Sequence, residues 1–367
     1  MKILFCTNVF EVVENGPVKF VNLLLQINER FPEHELHILT EDIAEPRRFV
    51  HKVPIVQSIK ASPFSQFVRM GAYHQAAMRV RKTFPFDVLV YNNALVGLWS
   101  AIRQPNCVGM INDYKNISRQ KDTYQQGSRA FKENLLRVVE KWSVRFYHKI
   151  ITNSDYLTKM VEESYPRAKG KVFRLYKGVE LPEAPVPFQE VIAEPIKILF
   201  VKTDYELGGL PVLIDAIAKL PVQVILTLIG PRATHRAHIE NMARRVPNLS
   251  LRYRQYQPQS VVVQELRDSH IFCVPSYKEA LGVANLEAMV HGIPVVSTHV
   301  GGIPEVMDNG GCGWLVAPGD ASALADALCA CMHQPELRKL KVQRGLARAS
   351  RFGTQTMFDN FLKILED

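Results

Sequence analysis

IKILFVKTDY, residues 196–205, repeats the plan of the chain's own opening, MKILFCTNVF, residues 1–10. Each is a run of large apolar side chains that leads into a polar loop. Unbroken apolar runs of this length fit strands covered on both faces of a parallel sheet. A stretch with helical apolar spacing follows each, Val18 to Ile27 in the first case and Leu210 to Leu220 in the second. Strand, loop and helix open a doubly wound α/β domain. Meeting that unit twice in 367 residues argues for two such domains in tandem, because a chain of this length outgrows one core.

The remaining β-rich runs fit the same plan. ELHILT (35–40), DVLVYN (87–92), CVGMIN (107–112) and KIITNS (149–154) occupy the first half. VQVILTLIG (222–230), LSLRYR (249–254), HIFCVPS (270–276) and IPVVST (293–298) occupy the second. Helical stretches separate them, and this alternation favours parallel sheets. The proline-rich VELPEAPVPFQEVIAEP, residues 179–195, reads as an extended linker. The layout predicted is a Rossmann-like domain over 1–180, a linker over 181–195 and a second Rossmann-like domain over 196–353. Thr354 to Asp367 reads as an amphipathic helix with Met357, Phe358, Phe361, Leu362 and Leu365 on one stripe.

Composition bounds the class. A hydrophobic content of 47% with 22% charged residues is that of a globular protein. No apolar run reaches the roughly 18 residues of a membrane span. The apolar start is too short for a signal peptide and lacks a cleavage site, so it reads as a strand in a cytoplasmic protein. Cys6, Cys107, Cys273, Cys312, Cys329 and Cys331 are scattered and read as reduced core thiols rather than a disulfide or zinc framework. Charge is uneven: residues 1–190 carry 27 Lys and Arg against 19 Asp and Glu, and the excess is densest between Lys115 and Lys149. Such asymmetry implies that the halves meet different partners.

Chemistry concentrates in PSYKEALGVANLEAMVHGIPVV, residues 275–296, where Glu279 and Glu287 stand eight residues apart around a small apolar run. HIFCVPS is a strand and VANLEAMVH a helix that ends at Gly292 with Pro294 just beyond. Glu279 therefore lies in the loop leaving a strand, and Glu287 one turn into the next helix. Ligands of open α/β sheets bind outside the carboxyl ends of strands. The N–H groups of Leu281, Gly282, Val283 and Ala284 open the helix unpaired and suit a phosphate. Gly282 lets a ligand approach the backbone. Two carboxylates beside such a helix end suit sugar hydroxyls on either side of a diphosphate, which is the outline of a nucleotide-sugar.

EALGVANLE resembles the E-x7-E signature of the retaining family 4 glycosyltransferases. PSYKE before it, AMVHGIPVVST after it, GGIPEV (301–306) and GCGWLVAPGD (311–320) continue the likeness without a gap. MKILFCTNVF with Asn15-Gly16 is similar to the family's opening strand and glycine loop, and IITNSDYLTKMV (150–161) is also similar. The resemblance implies the GT-B architecture: two facing doubly wound domains, acceptor on the first and donor on the second, with the last helix returning to the first domain. It implies that Glu287 binds the ribose, that Glu279 binds the transferred sugar, and that the N–H groups after Leu281 hold sugar and diphosphate. It also implies that Gly16 brings its backbone against the phosphate, and that base contacts come from YRQYQP (253–258), Arg254 included.

The sequence departs from the family in two places. After the second domain's first strand the family carries an Arg and then Lys-Gly, which neutralise the diphosphate. FVKTDYELGG puts Thr203 and Gly208 there, or lacks the Lys outright, and leaves Lys202 or Arg232 as the cation. A family His that faces the donor sugar is replaced by Asn112, followed by Asp113; these are the other candidate substrate contacts. No Asp-x-Asp pair stands at a strand end, so neither a metal nor a cofactor is indicated. Helix N–H groups and cations would meet the leaving charge, and same-face attack by the acceptor hydroxyl is preferred over a carboxylate nucleophile.

For the acceptor, Ser128 to Lys149 reads as one basic helix with Arg129, Lys132, Arg137, Lys141, Arg145 and Lys149. Leu135, Leu136, Val138, Val139, Trp142 and Phe146 form its apolar side. It either packs on its own domain or leans on an anionic membrane at the inner face, presenting a lipid-linked saccharide. No nucleic-acid motif accompanies the charge. Three functions stay open: a metal-independent hexosyltransferase using a UDP- or GDP-sugar; a non-catalytic nucleotide-sugar binder or partner of an enzyme; and a sugar-nucleotide epimerase.

Overall fold

Residues 2–7, KILFCT, form a strand whose side chains from Ile3 onward are almost wholly buried, and a parallel sheet grows on both its edges. A computed structural model describes residues 1–11, 16–55, 65–114, 117, 128–183 and 188–367. The chain divides into one unit of Met1–Lys177 with Met357–Asp367, and another of Gly178–Thr356.

The first unit holds β1 (Lys2–Thr7), β2 (Glu35–Thr40), β3 (Val50–Lys52), β4 (Val88–Tyr91), β5 (Cys107–Ile111), β6 (Lys149–Thr152) and β7 (Val172–Arg174). All pair in parallel in the order β3-β2-β1-β4-β5-β6-β7. Its helices longer than one turn are α1 (Gly16–Leu25), α2 (Ser65–Val80), α3 (Leu98–Arg103), α4 (Ser128–Ser143) and α5 (Asp155–Ser164). Ser154 starts α5 as a cap, its Oγ accepting from the Leu157 N–H at 3.0 Å.

The second unit holds β8 (Ile196–Val201), β9 (Val224–Ile229), β10 (Leu249–Arg254), β11 (Ile271–Val274), β12 (Val295–Thr298) and β13 (Trp314–Val316), in the order β10-β9-β8-β11-β12-β13. These strands too pair in parallel. Its helices longer than one turn are α6 (Leu210–Ile217), α7 (Arg236–Ala243), α8 (Gln259–Asp268), α9 (Val283–Val290), α10 (Ala321–His333) and α11 (Pro335–Ala349). Strand order reverses beside β8, between β9 and β11. That switch point is where an open α/β sheet leaves a crevice at its carboxyl edge.

The last helix, α12 (Thr354–Glu366), begins in the second unit and continues into the first. Met357, Phe358, Phe361, Leu362 and Leu365 are buried in the first unit's core with Ile3, Phe5, Phe20 and Leu24. Phe361 meets Phe5 edge to face at 6.4 Å. The chain passes between the units twice, and the two passages lie side by side: Val179 N–H donates to the Phe352 carbonyl at 2.9 Å.

The basic helix is shorter than its sequence suggests. α4 ends at Ser143, whose Oγ donates to the Glu140 carbonyl at 2.8 Å. The next backbone bonds tighten to i–3, Arg145 to Trp142 and Phe146 to Ser143, and His148 then joins β5 through the Cys107 carbonyl. Lys149 is therefore no part of the helix face. It starts β6, is 6% exposed, and donates Nζ to the Ile364 carbonyl at 2.7 Å. All six cysteines are free thiols; burial pushes Cys331 up to about 12 and Cys273 higher still. Of the linker, residues 184–187 lie outside the described residues. Among the described residues no helix is long and apolar enough to cross a membrane.

Candidate functional site

The loops after β8, β11 and β12 converge on Glu279. Adjacent strands β8 and β11 at the switch point send out Lys202 and Glu279, whose Nζ and Oε2 form an ion pair. Both side chains are about three-quarters buried. Glu279 Oε1 also accepts from the Ala280 N–H at 3.2 Å. The acid is fixed through its backbone as well. Gly301, after β12, lies so close that a Cβ there would run into the Glu279 carbonyl. Its φ of 55° is left-handed, so glycine answers both the space and the conformation.

α9 starts beside this pair. Gly282 is its N-cap, with φ 91° and ψ 46°. Among the described residues no backbone hydrogen bond uses the N–H groups of Leu281, Gly282, Val283 or Ala284. Leu281 is buried and anchors the turn, while Val283 and Ala284 are half-exposed. Four N–H donors, the positive end of a helix dipole, one ammonium and one carboxylate thus share the carboxyl edge of the sheet. Further along α9, Glu287 is half-buried and its Oε1 accepts from Gln259 Nε2 on α8 at 3.3 Å. Asn285, on the same helix and 3% exposed, has an amide oxygen with no hydrogen-bond partner.

Thr203 follows Lys202 and is exposed. Arg232 is exposed after β9; its carbonyl accepts from Tyr253 OH at 2.7 Å, and among the described residues no ion pair links its side chain to Glu279. Arg254 ends β10, two strands from β8, and is paired with Glu265 at 2.8 Å. In the first unit, Gly16 is the first residue of α1, and Asn15 lies outside the described residues. Asp113 is exposed after β5.

Asn112 belongs to a row that sequence reasoning missed. Asn92, Asn112 and Asn153 each directly follow a strand, and those strands, β4, β5 and β6, are neighbours. Asn112 Nδ2 donates to the Asn92 carbonyl at 2.8 Å and to its Oδ1 at 3.0 Å. Asn153 Nδ2 donates to the Asn112 carbonyl at 3.0 Å. The amide oxygens of Asn112 and Asn153 are buried without a partner, so both can accept from a hydroxyl. The signal was the same residue type at the same place after three strands. Among the described residues no group of three or more His, Cys, Asp or Glu gathers as a metal site.

Two parallel α/β units, with charge and free N–H groups at the carboxyl edge of the second, have the plan of the GT-B class. Known proteins agree. Residues 186–346 match the family described as glycosyl transferases group 1, and residues 27–182 match glycosyltransferase family 4. The chain belongs to these glycosyltransferases. D-inositol 3-phosphate glycosyltransferase of Corynebacterium jeikeium is 30% identical over 195 residues, which is 50% of this chain and 45% of that protein. The chain thus matches less than half the length of that relative. Sucrose-phosphate synthase from Thermosynechococcus elongatus has the same fold, with TM-score 0.81 and 18% identity over 100% of this chain and 98% of the other. HepE of Anabaena, solved with UDP-glucose, gives TM-score 0.71 and 19% identity over 100% and 99%.

Proposed function

We propose that the protein is a retaining hexosyltransferase that moves a hexose from a UDP- or GDP-sugar to a saccharide or lipid-linked saccharide. The observation that carries this reading is Glu279, fixed by Gly301 and Lys202 beside the unpaired N–H groups that open α9. In the proposal the second unit takes the donor and the first the acceptor. Glu279 accepts from hydroxyls of the transferred sugar and Glu287 from those of the ribose. The diphosphate lies against the N–H groups of residues 281–284. Lys202 is the better placed of the two candidate cations: the diphosphate draws it from Glu279 and frees that carboxylate for the sugar. Arg254, paired with Glu265 at 2.8 Å, is the proposed contact for the base.

The acceptor hydroxyl enters on the face the diphosphate leaves, and its proton passes to the departing phosphate oxygen. N–H dipoles and Lys202 stabilise that oxygen as charge develops. No metal or cofactor is assigned a part. That HepE was crystallised with UDP-glucose supports a nucleotide-sugar donor. The test is nucleotide release from a panel of UDP- and GDP-sugars, with and without saccharide acceptors. Release with at least one donor is expected. The engagement of Lys202 by Glu279 favours one rival, a binder without turnover, which predicts donor binding and no release. Product formed without any acceptor would point to an epimerase instead.

A further inference from the structure

α4 buries polar side chains and leaves an apolar stripe exposed. A surface helix ordinarily buries its apolar stripe and shows its charges. Here the buried positions include Glu140 and Ser143, and Glu140 Oε1 accepts from the buried Tyr165 OH at 2.8 Å. The side chains of Leu135, Val138 and Trp142, spaced i, i+3 and i+7, point outward, with Val138 52% and Trp142 56% exposed. Phe146, in the turn that follows, extends the stripe. The inward side thus joins hydrogen-bonded Glu140 and Ser143 to half-buried Leu136 and Val139, and a second apolar stripe is left to solvent.

α3 adds to the same surface. It leads into β5 and α4 leads out of it, and β4, β5 and β6 are consecutive neighbours in the sheet. Right-handed crossovers place two such helices next to each other on one sheet face. Trp99 and Ile102 of α3 are also exposed, at 43% and 46%. The charges among these residues are positive: Lys141 and Arg145 are exposed, and Arg103 lies over the Trp99 ring at 4.9 Å. Arg145 lies over Phe146 at 5.9 Å.

We infer that α3 and α4 form a docking surface for an anionic lipid bilayer. Aromatic and aliphatic side chains enter the headgroup boundary while Lys and Arg reach acidic headgroups from long apolar stems. Charge complementarity names this occupant. The three cations stand at the edge of an apolar stripe with no exposed acid among the described residues of α3 and of 134–146, and the half of the chain that carries them holds the basic excess. The surface belongs to the first unit and Glu279 to the second, and it stands whether or not the transfer reaction is the right reading.

The test uses the full chain and vesicles of phosphatidylcholine with and without phosphatidylglycerol, read by co-sedimentation and by the shift of tryptophan emission. Binding to the anionic vesicles is expected, with about tenfold weaker partition for Lys141→Glu with Arg145→Glu, and weakening by added salt. Val138→Ser with Trp142→Ser removes insertion. Both pairs of substitutions fall on exposed side chains, and circular dichroism checks that the fold is kept. Failure of the wild type to bind anionic vesicles, equal binding to neutral ones, or unchanged binding by either variant overturns the proposal. Retention on a soluble polyanion or a protein partner in place of vesicles overturns it too.

Discussion

Glu279 and Lys202 show what a single contact adds to a motif. The spacing of Glu279 and Glu287, and the glycine before the helix, were readable because the chemistry lies within ten or so consecutive positions. The partner of Glu279 was not, because Lys202 comes from a strand 77 residues earlier in the chain. The same holds for Asn92, Asn112 and Asn153, which only the strand order makes neighbours. The ion pair separates two roles that sequence alone left joined. If Lys202 serves the diphosphate, Lys202→Met weakens binding of the matching nucleoside diphosphate about ten- to a hundredfold, the scale of about 1.5–3 kcal/mol for a hydrogen bond to a charged group. Glu279→Gln leaves that affinity unchanged or raises it, because it releases the ammonium, but lowers transfer by a similar factor. Calorimetric titration with UDP and GDP, beside turnover, checks this. Wild-type affinity in the Lys202 variant would assign the diphosphate to the helix N–H groups alone.

At the scale of elements, the buried central strands were legible and the edges were not. Val50–Lys52, Val172–Arg174 and Trp314–Val316 escaped sequence reading, and all three are three-residue edge strands. A run that short has no period of its own; it becomes a strand because a neighbour offers its backbone. The over-long basic helix failed in the opposite way. Its apolar spacing ran on past Ser143, but the turn and the pairing of β6 with β5 took residues 144–149 away. In the last helix the stripe was visible, and periodicity could not say which core receives it. Phe358 and Phe361 are completely buried in the first unit's core. Phe361→Ala therefore lowers that unit's stability by about 3–5 kcal/mol, the usual range for a buried phenylalanine. Denaturant unfolding followed by near-ultraviolet circular dichroism measures it; a loss below about 1 kcal/mol would mean that the helix docks only loosely.

Across the whole molecule, one buried histidine and two half-buried ones tie the stability of both units to pH. His51 in the first sheet is held below its ordinary value by burial and then by His37, whose Nδ1 lies 2.8 Å from its Nε2. His74, bonded to Ser100 Oγ at 3.0 Å, is lowered by burial and then by Arg103. His270, just before β11, is lowered by burial and then by Lys197 and Arg338. Its Nδ1 accepts from the Lys197 N–H at 3.2 Å, a bond that protonation of that nitrogen abolishes. In each case the unfolded chain takes up a proton at a higher pH than the folded one. Stability is then fully present above about pH 6.5, the ordinary histidine value, and declines as pH falls through the lowered ones. Thermal unfolding followed from pH 7.5 down to about pH 5 should show a falling midpoint. His270→Asn, which keeps an acceptor without a titrating ring, and His51→Gln should each flatten the slope, the first in the second unit and the second in the first. A midpoint independent of pH over that window, or variants as steep as the wild type, would mean that carboxylates alone govern the acid side.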